Sequence, residues 1–235
     1  MDDTATVVHV DRLDLAFAPK PWGFAHERRA EIDAWFATRR RENPALWNGQ
    51  VLLLHEHTLA DGVFSGRYLK TDYASFAAWR AWGPSTAAVQ NCFSAAAIRS
   101  ADSAFLLGIM GSHTANAGRI YFPCGTPDPD DIVGDRVDLD LNLRRELKEE
   151  TGLDVTEFTA EPGWTSVFDA PLIAHIKVLR SCDSAASLRS RILDYLAREQ
   201  QPELAGIRIV RGPADVDPAM PRFVTAFLAC QFAMR

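Results

Sequence analysis

The chain has no run of about 18 apolar residues, so no membrane-spanning helix is expected, and Met1-Asp2-Asp3 lacks the basic-then-apolar order of a secretory signal. Cysteine is sparse. Cys92, Cys124, Cys182 and Cys230 lie far apart with no CxxC pair, which excludes a disulfide scaffold and predicts reduced thiols in a cytoplasmic protein. Positive charge is also short: 25 Lys and Arg against 31 Asp and Glu leave a net charge of −6. The densest basic stretch is Arg39-Arg40-Arg41, inside a polar, helix-like run, so a surface for duplex nucleic acid is not expected. Internal repeats and low-complexity tracts are absent. What is there is a folded composition, 235 residues with 47% hydrophobic and 10% aromatic positions, enough for a domain of about 150 residues with an attachment of about 85.

The attachment reads as residues 1–85. Val7, Val8, Val10, Leu13, Leu15 and Phe17 predict a strand over 6–17, and Ile32, Trp35 and Phe36 an amphipathic helix from His26 to Glu42. Val51–His55 and Val63–Leu69 predict a hairpin turning at Ala60-Asp61-Gly62, followed by a helix over Asp72–Trp82 that Gly83-Pro84 closes. Residues 86–235 then read as strands at Cys92–Ile98, Phe105–Met110, Arg119–Phe122, Trp164–Phe168, Leu172–Leu179 and Ile207–Val210. Helices are expected at Asp140–Thr151, Ser187–Glu199 and Pro221–Phe232. This alternation predicts an α/β (α+β) fold, a mixed sheet flanked by helices.

Chemistry concentrates in Arg145-Glu146-Leu147-Lys148-Glu149-Glu150-Thr151-Gly152-Leu153. At 3.6 residues per turn, Glu146, Glu149 and Glu150 share one arc of a helix. The stripe Leu139, Leu143, Leu147 borders that arc and brings Glu150 close to the buried side. Glu146 and Glu150 repel at i,i+4, and Arg145, paired with Glu149, does not offset both. An ordinary acidic helix ending at a glycine cap is one reading; a site for a divalent cation is the other. Oxygen ligands without nearby Cys or His favour Mg²⁺ or Mn²⁺ over Zn²⁺, and Mg²⁺ commonly shares its shell with substrate phosphates.

These nine residues resemble the Nudix hydrolase family at every specified position of its REUxEExGU half-motif, where U is aliphatic. Upstream, Tyr121-Phe122-Pro123-Cys124-Gly125 leads to Asp131; Gly125 matches the motif glycine and Asp131 stands where the first motif Glu belongs. Two departures mark this region. The acid is Asp, and 13 residues separate it from Arg145 where the motif has seven, an insertion at about Ile132–Val137. The resemblance implies an α/β/α sandwich with a mixed sheet and hydrolysis of a nucleoside diphosphate linked to another moiety. It also implies Mg²⁺ or Mn²⁺ held by Glu146, Glu149, Glu150 and the Gly125 carbonyl, with Arg145 orienting Glu149. Glu149, Glu161 and Asp169 are the general-base candidates.

A narrower resemblance, to the Nudix-type UDP-glucose pyrophosphatases of animals, is carried by Asn43-Pro44-Ala45-Leu46-Trp47-Asn48-Gly49, by Thr71-Asp72-Tyr73 and by the enlarged motif loop. It implies UMP and a sugar 1-phosphate as products, with Trp47 and Tyr73 contacting the nucleotide; as plain sequence, both rings are read equally as core fillers. Tyr121, in the segment that leads to the motif glycine, is a substrate-binding candidate, and Arg67, Lys70 and Arg119, at strand ends, are phosphate partners by position alone. His55 and His57, on one strand face at i,i+2, lack a third metal ligand at recognisable spacing and read as an exposed strand end. His113 follows a turn and carries no motif. The alternatives are another nucleotide substrate (ADP-ribose, NADH, a dinucleoside polyphosphate or a nucleoside triphosphate) and a nucleotide-binding protein that does not turn over.

Overall fold

Residues 6–17 form two strands that belong to different sheets. The computed structural model describes residues 5–44, 46–83 and 89–233. In chain order its elements are β1 (Thr6–Val10), β2 (Arg12–Phe17), α1 (Gly23–Glu27), α2 (Arg29–Glu42), β3 (Gln50–Ala60), β4 (Val63–Asp72), α3 (Tyr73–Trp82) and β5 (Asn91–Arg99). There follow β6 (Phe105–Met110), β7 (Ile120–Tyr121), β8 (Cys124–Gly125), β9 (Ile132–Val133), β10 (Arg136–Val137), α4 (Leu139–Thr151), β11 (Thr159–Ala160) and β12 (Trp164–Asp169). The chain ends with β13 (Leu172–Arg180), α5 (Ala185–Leu196), β14 (Leu204–Val210) and α6 (Arg222–Ala233). The architecture is mixed α+β. The boundary expected near residue 85 falls on residues 84–88, outside the described residues, as does Ala45.

Two compact units emerge: Met1–Arg12 with Phe93–Gly125 and Leu139–Arg235, and Leu13–Cys92 with Thr126–Asp138. Neither unit is one stretch of sequence, because the strand pairing crosses long separations. In the first unit β1 pairs antiparallel with β12, from Thr6 opposite Phe168 to Val10 opposite Trp164. The strand order there is β1-β12-β13-β5-β6-β14.

Helices cover both faces of that sheet. On β5 the Ser94 hydroxyl bonds the Leu139 carbonyl at 2.8 Å and lies 2.9 Å from the Asn142 side-chain amide, both on α4. The adjacent Phe93 meets Phe223 of α6 edge-on at 5.6 Å. Successive strand residues point to opposite faces, so α4 and α6 lie on opposite sides, the layering of an α/β/α sandwich. Small buried residues on β5, Ser94 to Ala97, suit a strand covered on both faces. Leu139, Leu143 and Leu147 form the buried stripe of α4 that their i,i+4 spacing predicts. Where α6 meets the sheet, its Phe227 and the sheet-side Phe105 and Phe122 pack edge to face at 5.2–6.1 Å.

In the second unit the order is β3-β4-β2-β10-β9. The β3–β4 hairpin turns at Asp61 (φ 50°) and Gly62 (φ 72°), the left-handed pair that a two-residue hairpin turn requires. The helix read over His26–Glu42 is interrupted at Arg28, whose guanidinium lies 4.3 Å over the Trp82 ring. The insertion at Ile132–Val137 is a small hairpin, β9 and β10, joined to β2 where Arg136 pairs opposite Ala16. Arg136 is also ion-paired with Asp14.

Candidate active site

The last turns of α4 meet the β8 backbone within the first unit. Glu150 is 4% exposed, and its carboxylate accepts the Cys124 N–H at 3.2 Å. Glu146 reaches Gly125 so closely that a Cβ added there would fall 2.4 Å from the Glu146 carboxyl carbon. Only glycine leaves room for that carboxylate. Arg145 Nη1 lies 2.9 Å from Glu146 and 3.8 Å from Glu149, so its nearer partner is Glu146, where the resemblance implied Glu149. The Glu149 side chain is 63% exposed, against 12% for Glu146.

Burial first, and then the negative charge of Glu146 and Glu203, push Glu150 well above the usual carboxylate range against the pull of the Cys124 N–H. Burial and the same acids raise the Cys124 thiol. Tyr121 is buried, accepts a hydrogen bond from the Asn116 amide at 3.1 Å, and has its phenol raised by burial and by Cys124, Glu150 and Glu203. Glu203 therefore belongs to this acidic neighbourhood, and sequence reasoning missed it. It precedes β14, its carbonyl accepts the Gly111 N–H at 2.7 Å, and its sequence neighbours Pro202 and Leu204 carry no motif that could have found it.

The arrangement fits a hard cation. A buried carboxylate facing a second one is costly unless a counter-charge joins them, and the Gly125 cradle keeps the space beside Glu146 clear of side chain. Among the described residues no three His, Cys, Asp or Glu side chains are already gathered for a metal ion. A cation there would rely on Glu146, Glu150, backbone oxygen and water, a shell natural to Mg²⁺.

Other expected residues lie elsewhere in their units. Asp131 is buried in the turn over Pro129–Asp131, where its carboxylate accepts the Asp128 N–H at 3.0 Å in a reciprocal capping box. Glu161 is held by Arg180 at 2.6 Å with Arg99 at 3.9 Å, and Asp169 accepts from Arg222 at 2.6 Å. Arg119 and Lys70 are exposed, and Arg67 lies 3.7 Å from Glu56. His113 is exposed. A register shift between Leu54 and Glu56 makes His55 a bulge, so the alternation that would set His55 and His57 on one face is broken; His55 faces the Ala18 carbonyl at 3.3 Å, and His57 stacks on Phe64.

The two short segments at 43–49 and 71–73 build one helix start. Asn48 accepts the Ala74 N–H at 2.7 Å, the Gly49 carbonyl accepts the Tyr73 N–H at 2.8 Å, and Asp72 caps α3 through the Ser75 N–H. Tyr73 is half-buried against Phe36 and Phe76. Trp47 is 78% exposed, which removes it from the core, and its ring lies over Gly49, where an added Cβ would fall 1.9 Å from a ring carbon.

No family model and no curated protein matches the chain. Solved structures similar to it include the following two. One is a Nudix hydrolase from M. smegmatis, RenU, 13% identical with a TM-score of 0.38, the match covering 61% of this chain and 86% of that one. The other is the MutT protein from Methanosarcina mazei Go1, 18% identical with a TM-score of 0.42, covering 62% of this chain and 95% of that one.

Proposed function

We propose that the chain is a Mg²⁺- or Mn²⁺-dependent pyrophosphohydrolase of the Nudix type, acting on a nucleoside diphosphate linked to a second moiety, with UDP-sugars split into UMP and a sugar 1-phosphate as its preferred reaction. The observation that carries this reading is the meeting of Glu146 and Glu150 on the Cys124–Gly125 backbone at the end of a complete REUxEExGU helix. Glu146, Glu150 and the Gly125 carbonyl would hold the cation. When bound, the cation offsets the charge of the diphosphate and acidifies a water.

The protein's own part is orientation and proton handling. The Cys124 N–H fixes the direction of the Glu150 carboxylate, and Arg145 tethers Glu146. Glu149 stands in solvent at the rim, where its carboxylate takes the proton of the attacking water, whereas Glu161 and Asp169 are each committed to arginines. Exposure of the Trp47 ring supports a stacking role toward the base, and Tyr73 stands beside the same segment.

The deciding experiment is a screen of NDP-sugars, ADP-ribose, NADH, dinucleoside polyphosphates and nucleoside triphosphates with Mg²⁺ or Mn²⁺, products resolved by chromatography. UMP and sugar 1-phosphate from UDP-glucose support the reading in full; cleavage of another member keeps the reaction and corrects the substrate. Capture of Asp131 by its own turn favours a second reading, nucleotide binding without turnover. Calorimetric binding with no product from any member would establish that one instead.

A further inference from the structure

The final turn of α4 carries Glu149 and Glu150, and the Glu149 carbonyl lacks its i+4 partner, because the Leu153 N–H goes to the Thr151 hydroxyl. Three contacts close this helix end. The Leu147 carbonyl accepts the Thr151 hydroxyl, the Lys148 carbonyl accepts the Gly152 N–H at 2.9 Å, and the Glu149 carbonyl accepts the Tyr195 phenol at 3.0 Å. The first two are local to the helix end; the third comes from α5. The Tyr195 ring also leans on Gly152, which has φ 71° and where an added Cβ would fall 2.5 Å from two ring carbons.

The helix that presents this phenol is itself well anchored. Its first N–H groups are met by the Asp102 carboxylate at 2.8 Å and by the Ser184 hydroxyl at 3.2 Å. Leu188, Ile192 and Leu196 bury its inner face. A rigid donor bonded to the carbonyl between the two acids resists rotation of the last helical turn. Rotation of that turn is what would carry the Glu150 carboxylate away from the Cys124 N–H.

We infer that Tyr195 is a positioning residue for α4: through the Glu149 carbonyl and the face of Gly152 it sets the direction of Glu149 and Glu150 without touching substrate or cation. The inference rests on the hydrolase reading for its catalytic consequence and on the hydrogen bond alone for its structural one, so the two are read separately.

The test compares Tyr195→Phe, which keeps the ring on Gly152 and removes the donor, with Glu199→Gln, because the Glu199 carboxylate is the other charge and hydrogen-bond partner of the same phenol and the amide removes its charge while keeping an acceptor. Amide hydrogen exchange over residues 150–153 and steady-state kinetics with Mg²⁺ are measured on the full chain. Loss of one neutral hydrogen bond predicts exchange about three- to tenfold faster in that segment, and kcat lower by a similar factor with KM within about twofold. Glu199→Gln leaves both unchanged. Wild-type exchange in Tyr195→Phe overturns the inference, and so does an equal effect in Glu199→Gln, or faster exchange with unaltered kcat in an active enzyme. If the wild-type chain cleaves nothing, the hydrolase reading fails and the exchange result alone decides whether the phenol holds the helix end.

Discussion

At the scale of single residues, the site is a balance between burial and charge. Neutralising Glu150 as Glu150→Gln removes a buried repulsion against Glu146 and Glu203 while keeping an acceptor for the Cys124 N–H. It is expected to leave the melting temperature equal or higher and to lower turnover at least about 100-fold, as does Glu146→Gln. Phosphate-ester release and thermal denaturation of the same samples check both halves; wild-type turnover in both variants would refute the ligand roles. Gly125→Ala drives a methyl into the Glu146 carboxylate; displacing that acid or the β8 backbone costs about 1–3 kcal/mol, visible as a shifted urea midpoint with activity lost. Trp47→Ala behaves oppositely. The exposed ring contributes within about 0.5 kcal/mol of stability, so the denaturation curve stays put while KM for a UDP-sugar rises; an unchanged KM removes Trp47 from the binding residues.

At the scale of elements, the start of α3 shows how one carboxylate couples a helix end to pH. Burial pulls Asp72 upward, yet hydrogen bonds from Ser75 and Arg29 more than reverse it, and the group sits below its ordinary value. A depressed folded pKa means that the stabilisation is complete above the unfolded value, about pH 4, and is lost as pH falls through the folded one. The wild type should therefore lose stability toward acid more steeply than Asp72→Asn, which keeps a capping oxygen but cannot titrate. Asp72→Ala, without the cap, costs about 0.5–2 kcal/mol at neutral pH. Urea titrations between pH 3 and 7 separate these cases, and parallel acid limbs for wild type and Asp72→Asn would contradict the assignment. Local pattern predicted this helix well because its cap, apolar spacing and closing glycine are all neighbours in sequence. The same holds for α4, down to the burial of Glu150. It does not hold for β1 and β2. Their residues alternate without a break, and only the partners, β12 for one and β4 with β10 for the other, decide that Asp11 is a bend between two sheets.

For the whole molecule, a chain beginning at residue 86 would lack β1 and leave the β12 edge unpaired, with Val10 no longer covering the core. Such an edge invites association, so size-exclusion chromatography of that fragment is expected to show aggregates; a stable monomer with wild-type melting would show that β1 is dispensable. The enlarged motif loop follows the same logic, since Ile132–Val137 has two-residue strands too short to be recognised alone and is given shape by pairing with β2. Sequence by itself determined the elements whose signals are local: the helices α3 and α4 with the acidic face of α4, and the β3–β4 hairpin, because periodicity and caps act over a few residues. Tertiary structure alone decided which strands share a sheet, that Asp131 caps its own turn, that Arg145 stands nearer Glu146 than Glu149, and that Glu203 and Tyr195 come to α4. The sheet partners, Glu203 and Tyr195 lie far along the chain from what they meet, while the side-chain choices of Asp131 and Arg145 turn on small differences of distance between near neighbours; neither leaves a period to read.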